Sequence, residues 1–289
     1  MELKPGMLVS LNVERETNFG YFLTSENEDI DDILLHKRQV KGTIKIGQDL
    51  EVFLFHDHQG RLSATMEKPI ISLGVGEFAW LKVVAVNERD GVFLYNGIDR
   101  DLFLSMDDLG IDRDLWPRVG EKVPVSLIFD KKGRLMGRLL RGSPIEETAA
   151  HAPKTILNET VTGTIYSFAE KGVFVMTEDD YVAFLHFDET NDELHLGKVI
   201  TGRVSFVRDD GKLNISMQPK AYERQQDDAE EIYQFLLKQE AGMPYTDKSD
   251  PILIKQKFGM SKGSFKRALG KLLKEGKVHQ KDGWTFKKE

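Results

Sequence analysis

Apolar and polar positions alternate through most of the first 220 residues, in short runs broken by glycine-bearing turns. Leu8-Val9-x-Leu11-x-Val13 has the period of a half-buried strand. Phe19 to Leu23 predicts a second strand, Ile33-Leu34-Leu35 a third, Leu50 to Phe55 a fourth, and Arg61 to Thr65 closes this first unit. The same series returns as Phe78 to Val86, Val92 to Leu94, Leu102 to Leu104, Val123 to Phe129 and Arg134 to Leu139. It returns again as Val161 to Phe168, Val173 to Met176, Val182 to Leu185, Val199 to Val207 and Leu213 to Met217. Each unit carries an early glycine before apolar residues (Gly20-Tyr21-Phe22-Leu23, Gly91-Val92-Phe93-Leu94, Gly172-Val173-Phe174-Val175) and a late basic turn at Gly60-Arg61, Gly133-Arg134 and Gly211-Lys212. The glycine-to-glycine intervals are 40, 42 and 39 residues, so each unit is one folding module of an internal repeat.

Five short strands per module suit a five-stranded OB barrel. Pro69 and Gly74 punctuate the first junction, and Gly142 to Pro153 predicts a flexible hinge before the third unit. From Asp227 the period changes to that of helices. Ile232, Phe235, Leu236 and Gln239-Glu240 mark an amphipathic helix with an acidic start, ended by Gly242-Met243-Pro244. Asp250-Pro251 opens a second helix closed by Phe258-Gly259, and Ser261 caps a third whose apolar stripe is Phe265, Leu269, Leu272 and Leu273. Lys277 to Phe286 forms a hairpin about the tight turn Asp282-Gly283. Three helices and a hairpin are the winged-helix order. The expected fold is mainly β, with three tandem OB-fold barrels over 1–67, 68–142 and 152–219 and a C-terminal α+β winged helix over 225–289.

Charge sharpens this picture. The 289 residues carry a formal net charge of −7. Yet Pro251 to Glu289 holds 11 Lys or Arg against 3 Asp or Glu, which leaves −15 on residues 1–250. The basic end is a candidate phosphate binder, and an acidic remainder must bind by other means. No cysteine is present, which excludes disulfides and thiolate chemistry, and no run approaches the ~20 apolar residues of a membrane span. The first residues lack the basic and apolar regions of a signal peptide, so a cytoplasmic location away from membranes is expected.

The repeated units resemble S1-type RNA-binding domains. In that family two exposed aromatics lie three apart around the first glycine, a histidine follows the third strand, and Asp and Arg lie four apart near the last turn. Unit one matches with Phe19, Phe22, His36, Asp57 and Arg61. Unit three keeps Phe174, His186 and Lys212, with Lys171 at the first aromatic position and Arg208 at the aspartate. Unit two keeps Phe93, Asp130 and Arg134 but has Asp90 and Ser105 for the aromatic and the histidine, so units one and three are the better RNA-binding candidates and unit two leans to a spacer. Phe93 stays a candidate contact, and Arg61, Arg134 and Lys212 are expected to meet the RNA backbone. The glycine that usually precedes the histidine strand is absent from all three. Aromatic faces stack the bases of single strands at ~1–3 kcal/mol per base, which lets a module of low positive charge bind. Histidine and arginine add planar or phosphate-contacting groups. A glycine between the aromatics permits a bulge that brings residues three apart onto one face. A lone strand Phe is more often core than ligand, and it is the joint set Phe19, Phe22, His36 and Arg61 that core packing does not demand. The acidic runs Glu26 to Asp29 and Glu178 to Asp180 read as solvated loop tips near the face.

On the third C-terminal helix Lys262, Lys266, Arg267, Lys271 and Lys274 form a basic face able to neutralise phosphates. Three S1-like units followed by a winged helix are similar to the conserved virulence factor B family, which implies an RNA-binding regulator acting after transcription. No catalytic constellation or phosphate-cradling Gly-x-x-x-x-Gly-Lys loop is present. Among the histidines, His56 and His58, read as sharing a strand face about Asp57, offer too few partners for a metal. The expectation is a non-enzymatic binder of single-stranded RNA, without cofactor or metal. A duplex-DNA regulator acting through the winged helix and a protein-interaction scaffold stay open as alternatives.

Overall fold

The computed structural model describes residues 3–24, 33–73, 78–219, 221–239 and 241–288, with the side chains of 221–227 outside it. Gly74, Glu240 and the acidic run Glu26 to Asp29 lie outside the described residues. The chain forms two compact units, Met1–Met217 and Gln218–Glu289.

The first unit holds three closed five-stranded barrels. The first is built from β1 (Leu8–Glu16), β2 (Gly20–Thr24), β3 (Ile33–His36), β4 (Asp49–His56) and β5 (Leu62–Thr65). The second uses β6 (Ala79–Asn87), β7 (Gly91–Tyr95), β8 (Leu102–Ser105), the short helix α1 (Met106–Leu109), β9 (Lys122–Phe129) and β10 (Leu135–Leu139). Helix α2 (Ser143–Glu146) then leads into β11 (Thr160–Ala169), β12 (Gly172–Thr177), β13 (Val182–His186), β14 (Val199–Val207) and β15 (Leu213–Ser216). In each barrel the first strand pairs antiparallel with the second and the fourth, and the third pairs parallel with the fifth to close the cylinder. Alternation then sends one set of side chains inward: Leu23, Leu35 and Val52 in the first barrel, Leu94 and Leu104 in the second, Val175 and Leu185 in the third.

The repeated glycine serves a different purpose from the bulge expected of it. The register slip lies on the opposite strand, between Val13 and Arg15, Val83 and Ala85, and Ile165 and Ser167. A Cβ on Gly20, Gly91 or Gly172 would stand 2.1, 2.1 or 2.2 Å from the carbonyl oxygen of Leu35, Leu104 or Leu185. Close approach of the third strand therefore demands glycine. Phe19, expected inside the second strand, lies just before it.

The hinge expected at 142–153 is folded instead. Ile145 is fully buried, the Ala150 amide donates to the Asp180 carbonyl at 2.8 Å, and the Ala152 amide donates to Gly211 at 3.0 Å. Apolar Ile145 and Ala152 anchor a stretch that glycine and proline alone would have left loose.

In the second unit, α3 (Ala221–Leu237), α4 (Pro251–Phe258) and α5 (Lys262–Lys274) precede a hairpin of β16 (Val278–Lys281) and β17 (Trp284–Lys287). Helix α3 begins six residues before the expected Asp227, so Asp227 and Asp228 fall within it rather than at its start. Asp250 accepts from the Ile252 amide and Ser261 from the Ser264 amide, as N-caps do. Gly259 ends α4 in the left-handed conformation. Phe265, Ala268, Leu269 and Leu272 are buried against Ile232, Leu236 and Phe258, while Leu273, expected in that stripe, is exposed.

Candidate nucleic-acid interface

On the first barrel, alternation turns Phe22, Leu34 and His36 outward while Leu23 and Leu35 fill the interior. Phe22 pairs with Leu34 and Gly20 with His36 across the β2–β3 ladder. Phe19 is 71% exposed, and its carbonyl accepts from the Lys37 amide at 3.0 Å, which keeps it beside His36. The Arg15 guanidinium lies 4.2 Å from the Phe22 ring centre. His36 Nδ1 accepts from the Arg38 amide at 3.2 Å, which fixes the imidazole at the strand end. Neither Phe19 nor Phe22 belongs to the barrel core.

The late basic turn is built by its aspartate. Asp57 Oδ1 accepts from the amides of Gln59 and Arg61 at 2.8 and 3.0 Å, and Oδ2 accepts from Arg61 Nε and Nη2 at 2.9 and 2.7 Å. Burial pushes the Asp57 carboxyl up, but the Arg61 amide and guanidinium and the Gln59 amide outweigh it and hold it below the usual aspartate value. Asp130 and Arg134 repeat this arrangement at 2.7 Å, and there the Arg134 amide is the largest influence holding the carboxyl low. Both arginines remain about two-thirds exposed. In the third barrel Arg208 stands at the aspartate position, and Asp210, two residues on, accepts from its guanidinium at 2.9 and 3.1 Å. Lys212, expected to meet a nucleic-acid backbone, donates to Glu146 of α2 at 2.6 Å. The folded linker has claimed that cation.

The third barrel carries a chain of rings that single-residue matching missed. Tyr166, Phe174, Phe184 and His186 follow one another at centroid separations of 6.2, 5.3 and 6.5 Å. Phe174 faces Phe184 directly across the β12–β13 ladder. The period-2 relation of Phe184 to His186 was the available signal. Tyr166 is fully buried, and burial raises its hydroxyl's pKa above the ordinary tyrosine value. Trp80 of the second barrel meets it edge-on at 6.5 Å.

The second barrel presents a different surface. Phe93 packs on Phe103 at 5.3 Å, and the turn of the first barrel reaches across so that His58 Nδ1 lies 2.8 Å from Arg100 Nη1. The cleft between them encloses about 1210 Å³ and is lined by five aspartates (Asp57, Asp90, Asp99, Asp101, Asp107) against Arg100 and Arg134. His58 sits in the turn rather than on the strand, so it does not share a strand face with His56. Among the described residues no group of three or more metal-ligating side chains converges.

On α5, Lys266, Arg267 and Lys274 are exposed and Lys262 and Lys271 half-buried. The Lys271 ammonium lies 3.9 Å from Glu275, and Arg267 Nη2 donates to Ser264 Oγ at 3.3 Å. Lys266, Arg267 and Lys274 point away from the buried stripe, whereas Lys262 and Lys271 lie along its margins.

Comparison with known proteins agrees module by module. The S1 domain model matches residues 5–67, the CvfB first S1-like domain 78–138, the second domain of virulence regulatory factor CvfB 145–219, and the CvfB-like winged helix domain 230–286. The Bacillus subtilis protein YitL is 38% identical over 287 residues, spanning 99% of this chain and 95% of its own length. Conserved virulence factor B of Staphylococcus aureus strain N315 is 33% identical over 252 residues, spanning 84% of this chain and 83% of its own. The crystal structure of a multidomain protein with nucleic acid binding domains from Streptococcus pneumoniae is 30% identical, with a TM-score of 0.65 over 98% of both chains. With three barrels, a winged helix and relatives along nearly its whole length, this chain belongs to the conserved virulence factor B family.

Proposed function

We propose that this protein is a non-enzymatic binder of single-stranded RNA that regulates gene expression after transcription. The observation that carries this reading is the outward aromatic face of the first barrel: Phe19, 71% exposed, stands beside His36, with Phe22 on the same ladder as that histidine. A ring so exposed contributes little to folding and offers a base one open π-face. Arg61 is held in a fixed turn by Asp57 and supplies a cation for the backbone. On the third barrel the chain Phe174, Phe184, His186 offers a second stacking surface. Because the net charge of residues 1–250 is negative, stacking rather than charge must supply most of the barrels' affinity. The basic face of α5 adds an electrostatic contribution, and several weak sites on one chain reinforce one another.

The test is binding of the intact chain to a short pyrimidine-rich RNA, the matched single-stranded DNA and duplex DNA across a salt series. Preference for the RNA with a shallow salt slope is the expected result. Preference for duplex DNA with a steep slope would move the function to the winged helix, the reading favoured by its excess of basic residues. Absence of binding to all three would leave a protein-interaction scaffold.

A further inference from the structure

The hairpin of the winged helix has two unlike faces. Its inner face, Val278 and Thr285, is buried, and the Thr285 hydroxyl donates to the Tyr245 carbonyl at 2.7 Å. Its outer face carries His279, Lys281, Trp284 and Phe286, which the register sets as the cross-strand pairs His279–Phe286 and Lys281–Trp284. The three rings form one near-parallel series: His279 to Phe286 at 5.4 Å and Phe286 to Trp284 at 6.4 Å, each pair tilted by 23°. None of them belongs to the core of this unit. Gly242 packs close against Phe286, since a Cβ there would come within 2.6 Å of the ring. Trp284, at the free end of the series, is 39% exposed.

Cross-strand packing alone accounts for one such pair, at ~0.2–1 kcal/mol. It does not account for leaving the largest apolar side chain 39% exposed beside the turn. The surrounding charge narrows the partner: between Lys277 and Lys288 the hairpin holds four lysines and one aspartate. A flat aromatic series flanked by cations suits a planar group carried on a polyanion.

We infer that the outer face of this hairpin is a base-stacking site, with Trp284 and His279 taking unpaired bases of single-stranded RNA and Lys281 its phosphate. This deepens the function proposed above and rests on it. It assigns the winged helix's contact with RNA to an aromatic platform on the wing, in addition to the basic face of α5. Duplex RNA, whose bases are already stacked and paired, does not use the platform.

The experiment uses the full chain with Trp284→Ala, and with Trp284→Phe as the conservative variant. Each is titrated into labelled single-stranded oligouridylate and into a blunt RNA duplex, with thermal melting followed alongside. Trp284→Ala weakens the single-strand complex about tenfold, leaves the duplex complex within about twofold, and lowers the melting temperature by several degrees without loss of the fold; Trp284→Phe recovers most of the lost affinity. Unchanged single-strand affinity, equal losses on both RNAs, or failure of Trp284→Phe to recover binding would each overturn the inference. Phe19→Ala, measured in parallel, separates the two levels. If it loses affinity while Trp284→Ala does not, only the wing assignment fails. If the unmodified chain does not bind single-stranded RNA, the function on which it rests fails as well.

Discussion

Truncation of Phe19 separates stacking from packing more cleanly than any other change on the first barrel. Fully burying a phenylalanine is worth ~1.5–3 kcal/mol, and this ring is 71% exposed. Phe19→Ala therefore costs less than about 1 kcal/mol of stability, a melting shift of at most a few degrees. If the ring stacks a base, its loss removes ~1–3 kcal/mol of binding, which at ~1.4 kcal/mol per tenfold is a rise in Kd of about 5- to 150-fold. The two scales do not overlap, so anisotropy titration of labelled oligouridylate beside a thermal melt tells them apart. Phe19→Trp keeps the stacking face and should hold affinity at or above the unmodified value. Phe22→Ala is the less clean partner, because Phe22 is half-buried beneath Arg15. Binding within about twofold of the unmodified chain in a fully folded Phe19→Ala variant would refute stacking at this position.

Gly20→Ala drives a methyl to 2.1 Å from the Leu35 carbonyl oxygen and should cost about 3 kcal/mol or more in denaturant unfolding. By contrast Gly270→Ala on α5, where a Cβ meets nothing within 4 Å, should stabilise the winged helix by ~0.5–1 kcal/mol in the same assay. Asp57 has a lowered folded pKa, so its ion pair and turn hydrogen bonds contribute stability fully present above the unfolded value of 3.8 and lost as pH falls through the folded value. Melting curves of Asp57→Asn and the unmodified chain should accordingly differ at neutral pH and converge in strong acid; a constant gap would show that the charge is irrelevant. Replacing Lys266 and Lys274 by glutamine should reduce the salt slope of RNA binding by roughly 0.7 for each phosphate no longer neutralised, while an unchanged slope would place the phosphates elsewhere.

The modular plan was legible because period and punctuation are local properties. Alternation marked the strands to within a residue or two, apart from the first, which runs three residues past Val13 to Glu16, and the caps Asp250, Gly259 and Ser261 marked two of the helices because each satisfies backbone groups next to it in sequence. The start of α3 was less legible, since Lys220 before it is not a residue type that caps helices. Joint matching of Phe19, Phe22, His36, Asp57 and Arg61 picked out residues that the barrel brings to its outer surface and its late turn, and Asp57–Arg61 proved to be one ion pair.

What the sequence by itself determined, then, is the order and type of the modules and the residues each presents outward. Tertiary structure decided which of those residues stay available. Lys212 was an open cation until Ile145 and Ala152 buried a linker that set Glu146 against it. The second barrel's face became an acidic cleft only when the turn holding His58 crossed to Arg100. The third barrel's rings and the wing's His279–Phe286–Trp284 series exist only through strand register. The physical reason is the same throughout: hydrogen-bond periodicity is written in neighbouring residues, whereas exposure and ion pairing depend on groups that folding brings together from far along the chain.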